Sequence, residues 1–149
     1  MKKKIKNIKL NVVSPESTFF SQYVKKIIVS GIEGNLGIYP GHRQLLTFVK
    51  PGILYIFMLE KKIEYIYIYS GILEVQPSFI NILADNAIIS NKINLNTTLK
   101  KKYRLENELK KNIISMEEKL KIKKSLSRQL CKIKILEMLK SKIYTKKNF

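Results

Sequence analysis

Gly34-Asn35-Leu36-Gly37-Ile38-Tyr39-Pro40-Gly41-His42 sets three glycines and a Pro-Gly pair around a short apolar run. Proline presets φ near −65° and glycine accepts the positive φ that follows, so Pro40-Gly41 reads as the centre of a type II turn. Pro51-Gly52 repeats the pattern. Between the two pairs, Leu45-Leu46 and Phe48-Val49 read as a short buried strand bounded by reversals. Working outward, residues 5 to 83 are β-rich segments punctuated by Ser14-Pro15, Gly31, Ser70-Gly71 and Pro77-Ser78. Reversals every ~8 to 12 residues predict a sandwich or barrel.

Gly52 to Met58, Ile63 to Tyr69 and Phe79 to Leu83 have strand composition, and Glu60-Lys61-Lys62 makes a polar hairpin between the first two. Ile63, Tyr65, Tyr67 and Tyr69 would share one face, alternating with Glu64, Ile66 and Ile68. A tyrosine row can stack single-stranded bases, but cross-strand packing is its commoner use in sheets.

From Asn94 onward there is neither proline nor glycine. Leu99, Tyr103, Leu109 and Ile113 place one apolar stripe on a helix from Thr97 to Ile114, with Asn96 or Thr97 as N-cap. Ser115-Met116-Glu117-Glu118 reads as a capping box that opens a second helix. There Leu126, Leu130, Ile133, Leu136, Leu139 and Ile143 recur at three or four residues, and Lys140, Lys142, Lys146 and Lys147 complement the macrodipole near its end. Two antiparallel helices would bury these stripes. No glycine or proline between Asn112 and Ser115 forces the reversal, so hairpin and extended forms are both expected to be reachable.

The chain of 149 residues, 45% of them hydrophobic, suffices for one domain or two small ones. No apolar run approaches the ~18 to 20 residues of a membrane span, and the Lys-rich start lacks the pattern of a secretory signal. With one Cys and one His, no internal disulfide, metal cluster or nucleophile–base pair can be assembled from spacing, so neither enzymatic chemistry nor a cofactor is expected. The net charge of +18 invites a nucleic-acid reading, in which a β-barrel-like domain and a helical arm neutralise phosphates. Against it, 18 of the 29 basic residues follow Asn86, and only Arg43, Arg104 and Arg128 are arginine, the side chain whose fork suits phosphate. Lys, Ile and Asn also share A/T-rich codons, so base composition alone accounts for part of the charge.

The opening stretch has company. Tyr67-Ile68-Tyr69-Ser70-Gly71-Ile72-Leu73-Glu74-Val75-Gln76-Pro77 is followed by Ile82-Leu83-Ala84-Asp85-Asn86-Ala87. Together with Val12-Val13-Ser14-Pro15-Glu16 and Phe19-Phe20-Ser21, these blocks follow in order the pattern G-x-L-G-I-x-P-G-H, L-L-T, P-G, S-G, E-V-x-P and L-A-D-x-A. In this the chain closely resembles the epsilon subunit of F-type ATP synthases, over essentially its whole length and most strongly from Val12 to Ala87.

The resemblance implies an α+β protein, with an antiparallel β-sandwich at residues 1–87 for rotor coupling and a regulatory, mobile two-helix hairpin at 88–149. It implies a non-catalytic central-stalk subunit that couples the gamma subunit to the c-ring in proton-driven ATP synthesis. The helices would make transient contact with the alpha and beta subunits and inhibit ATP hydrolysis. The location implied is the cytoplasmic face of a bacterial inner membrane, peripheral through the complex. The loop holding Glu33, Gly34 and Asn35 would meet the ring and His42 the gamma subunit. Lys121, Lys123, Lys124, Arg128 and Lys132 would face an acidic loop of the catalytic head.

Two departures bear on this. Asn35 replaces an acid often found there in the family, leaving Glu33 as the one charge in the loop. Some family members bind ATP through [I/L]-D-x-x-R-A; here Leu95-Asn96-Thr97-Thr98-Leu99-Lys100 lacks both the acid and the arginine, and Ile89 stands where arginine is common. A calorimetric titration of the chain with ATP is therefore expected to show no saturable heat at physiological nucleotide concentrations.

Overall fold

The computed structural model describes residues 6–15 and 18–147, with side chains as far as Ser141. Glu16 and the side chains of Lys142, Ile143, Lys146 and Lys147 lie outside the described residues. The chain divides into two compact units, Met1–Ile89 and Ser90–Phe149.

The first unit contains β1 (Ile8–Val13), β2 (Thr18–Gly31), β3 (Gly34–Ile38), β4 (Leu45–Val49), β5 (Gly52–Met58), β6 (Ile63–Val75) and β7 (Phe79–Ile89). Five of them close a ring, in which β1 pairs β2, β2 pairs β5, β5 pairs β6, β6 pairs β7, and β7 returns to β1. Every step is antiparallel except β7 to β1, which is parallel. Strand direction cannot alternate around an odd-membered ring, so one parallel pair is the geometric cost of closure. Off the ring, β3 extends the end of β2 and β4 pairs the second half of β6.

The period-2 pattern fills the inside. Ile8, Leu10 and Val12 of β1 face Ile80, Ile82 and Ala84 of β7, Leu73 and Val75 of β6, Val24, Ile27 and Val29 of β2, and Leu54 and Ile56 of β5, all buried. Each Val, Leu or Ile side chain among them contributes about 1.5–3 kcal/mol on burial. Tyr65 and Tyr67 are buried too, edge-on to Tyr55 and Tyr69 respectively. Stacking of bases needs an exposed ring face, and these two rings have none to offer.

Three expectations need correction. Pro51-Gly52 is not a second type II turn, because Gly52 does not have a positive φ and begins β5. Its missing side chain instead makes room for Ser30, whose Oγ a Cβ would strike. β4 is not a buried strand, since only Val49 of it is enclosed. Ser70-Gly71 does not end β6; the register slips there and the strand continues to Val75. A Cβ on Gly71 would drive into the carbonyl oxygen of Leu83, so glycine is what lets the bulge lie flat against β7.

In the second unit a 3₁₀ turn (Ser90–Lys92) leads to α1 (Leu95–Leu109), a loop and α2 (Met116–Lys147). α1 starts earlier than predicted because Asn94 is the cap, its Oδ1 accepting from Asn96 N and Thr97 N. It also ends earlier: Lys110 N turns to Asn107 O, leaving Ile113 outside the helix and 97% exposed. The capping box forms as read, with Ser115 N donating to Glu118 Oε2 and Glu118 N to Ser115 Oγ, both at 3.2 Å. α2 packs on α1 and touches the 3₁₀ turn, so it runs back antiparallel. Tyr103 on α1 points out, and among the described side chains the enclosed ones of α2 are Gln129 and Ile135 rather than Leu130. At about 100° per residue, Leu130 lies a quarter turn from Gln129 and faces outward.

Gly71→Ala is expected to lower the free energy of urea unfolding by about 1–3 kcal/mol. Gly37→Ala, where a Cβ meets only an ordinary contact with Tyr39, is expected to stay within about 0.5 kcal/mol of the parent.

Candidate functional site

The stretch that opens the sequence reading becomes a hairpin tip and a turn at opposite ends of β3. Gly31 pairs Gly34 across a two-residue tip, Ile32-Glu33. Gly34 takes φ +125°, a conformation that favours glycine. Glu33 and Asn35 are exposed beside it, and Ser30 Oγ donates to Asn35 Oδ1 at 3.5 Å. Ile32 shares this tip at 50% exposure. It escaped the sequence reading, although an apolar residue in a two-residue tip has no interior to turn toward.

At the far end, Gly41 has φ +82° and His42 N donates to Tyr39 O at 3.1 Å, the geometry of a type II turn. Gly41 N also donates to Pro77 O at 2.8 Å, joining this turn to the Glu74-Val75-Gln76-Pro77 block. His42 Nδ1 lies 2.7 Å from Arg43 O; a carbonyl only accepts, so the proton sits on Nδ1. At about 3.3 Å per residue, β3 holds the tip and His42 roughly 15 Å apart. Glu33, Gly34 and Asn35 form one cluster and His42 belongs to another.

The outer face of β4, β6 and β7 carries a feature missed in the sequence. Phe48 pairs Ile72, and Ile72 pairs Leu83, with Leu46 two residues along from Phe48. All four are exposed, Leu46 by 74% and Phe48 by 63%. Strict alternation contained the signal: with Val49 enclosed, Phe48 and Leu46 cannot both share its burial and keep the pleat. Beside this apolar row runs a polar one. Ser21 Oγ donates to Asn11 Oδ1 (2.8 Å), Asn11 Nδ2 to Asn81 Oδ1 (2.9 Å) and Asn81 Nδ2 to Glu74 Oε2 (3.0 Å). Asp85, which accepts from Ser70 Oγ, lies further along β7.

On α2, Lys121, Lys124, Arg128 and Lys132 recur at three and four residues and form one stripe, whereas Lys123 falls on the opposite side. Lys121 pairs with Glu117 at 3.3 Å. Lys132 is half-buried, and burial first, then Lys101 and Arg128, hold its ammonium below the usual lysine value. The segment Asn94–Thr98 is engaged in its own cap, with Thr98 Oγ1 donating to Asn94 O at 2.7 Å. Among the described residues no group of three His, Cys, Asp or Glu could hold a metal, and no helix is long and apolar enough to cross a membrane.

Residues 7–90 match the family model described as ATP synthase, Delta/Epsilon chain, beta-sandwich domain. A chain of the Euglena gracilis mitochondrial ATP synthase, in an OSCP/F1/c-ring structure, is similar with TM-score 0.70 and 18% identity, over 82% of this chain and 76% of that one. A chain from the central stalk and c-ring structure of the Tetrahymena thermophila mitochondrial ATP synthase is similar with TM-score 0.53 and 13% identity, over 89% and 98%. At these identities the structural likeness speaks to the fold.

Proposed function

The chain belongs to the ATP synthase delta/epsilon chain family, and from that premise we propose that it is the non-catalytic epsilon subunit of a central stalk, coupling a gamma-type subunit to a c-ring. The observation that carries this reading is the exposed apolar row Leu46, Phe48, Ile72 and Leu83 on a closed, well-packed sandwich. Exposed large apolar side chains adjacent across three strands mark a protein-binding face. The gamma-type subunit covers this row, and His42 at the Pro-Gly turn extends the contact. The Ile32-Glu33 tip, with Gly34 and Asn35, meets the ring. With Asn35 in place of an acid, shape and the apolar Ile32 carry that contact more than charge does.

The helical unit is the regulatory element. It has a hairpin state with α1 and α2 packed together, and a second state in which the helices reach the catalytic head and restrain hydrolysis. A few kcal/mol of differential contact decides which is populated. Lys121, Lys124 and Arg128 meet the acidic surface of the head as a stripe, Lys123 acts from the other side of the helix, and Lys132 becomes available when the hairpin opens. Each exposed pair contributes about 0–1 kcal/mol, so the effect is collective and salt-sensitive. The location that follows is peripheral to the membrane, through the complex.

Co-purification tests the coupling role. Phe48→Asp with Leu46→Asp is expected to abolish a stoichiometric complex with the gamma-type subunit while leaving the melting temperature within a few degrees; a complex that survives the double change would sink the assignment of this face. Replacing Lys121, Lys123, Lys124, Arg128 and Lys132 by Gln or Ala is expected to raise ATP hydrolysis of a reconstituted head several-fold at low salt. Unchanged hydrolysis there would remove the electrostatic account.

A further inference from the structure

Away from the apolar row, Lys6, Asn7, Lys25, Lys26, Tyr39, Pro40 and Phe57 line an open groove of about 800 Å³. Its floor is aromatic and its rim cationic. Two observations suggest that the groove is built rather than incidental.

The first is a β-bulge. Val24 pairs Met58 and Lys26 pairs the next residue, Phe57, so Lys25 is the extra residue in β2. Without the bulge, successive side chains would point to opposite faces and one of the two lysines would enter the core. With it, Val24 and Ile27 are both buried and both lysines stay outside. Backbone pairing is given up at this point to keep two adjacent cations together.

The second is how Lys26 is held. Its Nζ lies 4.5 Å from the Phe57 ring centroid, 5.2 Å from that of Tyr39, and donates to Tyr39 Oη at 3.3 Å. The Phe57 ring and the Tyr39 phenol oxygen fix an ammonium that would otherwise swing through solvent. Among the described residues no carboxylate lines the groove and none pairs with Lys6, Lys25 or Lys26. Three cations thus surround an apolar hollow to which the described residues bring no counter-charge.

We propose that this groove receives an acidic segment of the gamma-type subunit, an apolar side chain filling the aromatic floor while flanking carboxylates meet Lys6, Lys25 and the pre-positioned Lys26. The concave floor suits an inserted side chain better than a flat lipid surface. Tyr39 and Pro40 belong to the turn that carries His42, so the groove continues the proposed rotor contact. The inference rests on the epsilon reading above.

The test uses the full-length chain and the purified gamma-type subunit of the same enzyme, with affinity measured by calorimetry from low salt to about 0.5 M. Lys6→Glu with Lys25→Glu, both exposed rim positions, is expected to weaken binding about tenfold or more at low salt, with wild type and variant converging at high salt. Lys6→Gln with Lys25→Gln should fall between them, and it serves as the variant should the double reversal not fold. Affinities within twofold of wild type at low salt would overturn the groove proposal and leave the epsilon reading standing. A wild-type chain that does not bind the gamma-type subunit would overturn that reading and this inference with it. Vesicles containing phosphatidylglycerol form a parallel arm: binding lost in the variants while the gamma-type affinity is unchanged would make the groove a lipid site and refute the proposal.

Discussion

Closure of the sheet through β1 is the constraint on which the first unit depends. β1 lies between β2 and β7, and without it both neighbours would present open edges. Because the ring has five members, its strands cannot all be antiparallel. Closure also demands local relief, and the chain supplies it where the register slips, with an extra residue at Phe19 and at Lys25 in β2, at Tyr69 in β6 and at Asp85 in β7. Each slip bends a strand that must otherwise pair two different partners along its length. The buried set from Ile8 to Ala84 is the result of that bending as much as of hydrophobic pattern.

On this closed scaffold the proposed interaction surfaces sit where the pleat turns outward or the backbone reverses. The Pro40-Gly41 turn does not hang free, since Gly41 N is tied to Pro77 O. That bond fixes one motif of the chain against another across the fold. A surface held this way loses little entropy when it binds, so more of the contact energy remains as affinity. The helical unit is built on other terms. α2 spans about 48 Å at 1.5 Å per residue, twice the reach of α1, and much of its apolar surface is only half covered.

Most of the fold was legible because the residues that set it act locally. The Pro40-Gly41 turn, the strand Gly52–Met58 and the Ser115/Glu118 capping box each follow from a few neighbours. What was not legible depends on distant partners. Pro51-Gly52 looked like Pro40-Gly41, yet Gly52 answers to Ser30, some twenty residues away in sequence. Ser70-Gly71 looked like a strand end, yet Gly71 answers to Leu83. The outward face of β4 was hidden for the same reason, because Leu45 to Val49 is apolar on both sides and only Val49 reveals which side the core took. In the helices Asn94 displaced Asn96 and Thr97 as the cap, since the helix took the first side chain able to satisfy its free amides. Of the candidate site, the motif gave Glu33, Gly34, Asn35 and His42, while Ile32, Phe48 and the Lys26 cradle emerged only with the register.

The side-chain chain Ser21–Asn11–Asn81–Glu74 has a mechanical meaning. It crosses β2, β1, β7 and β6 at right angles to the strands, spanning the parallel joint where the ring closes. A load applied at one end of the sandwich and resisted at the other slides strands past one another, and a slip of one residue would turn every core side chain outward. Under such shear the cross-strand bonds are strained together rather than opened one after another. The ladder behaves as a row of dowels through a laminated shaft, stiffening the joint where direction alternation fails.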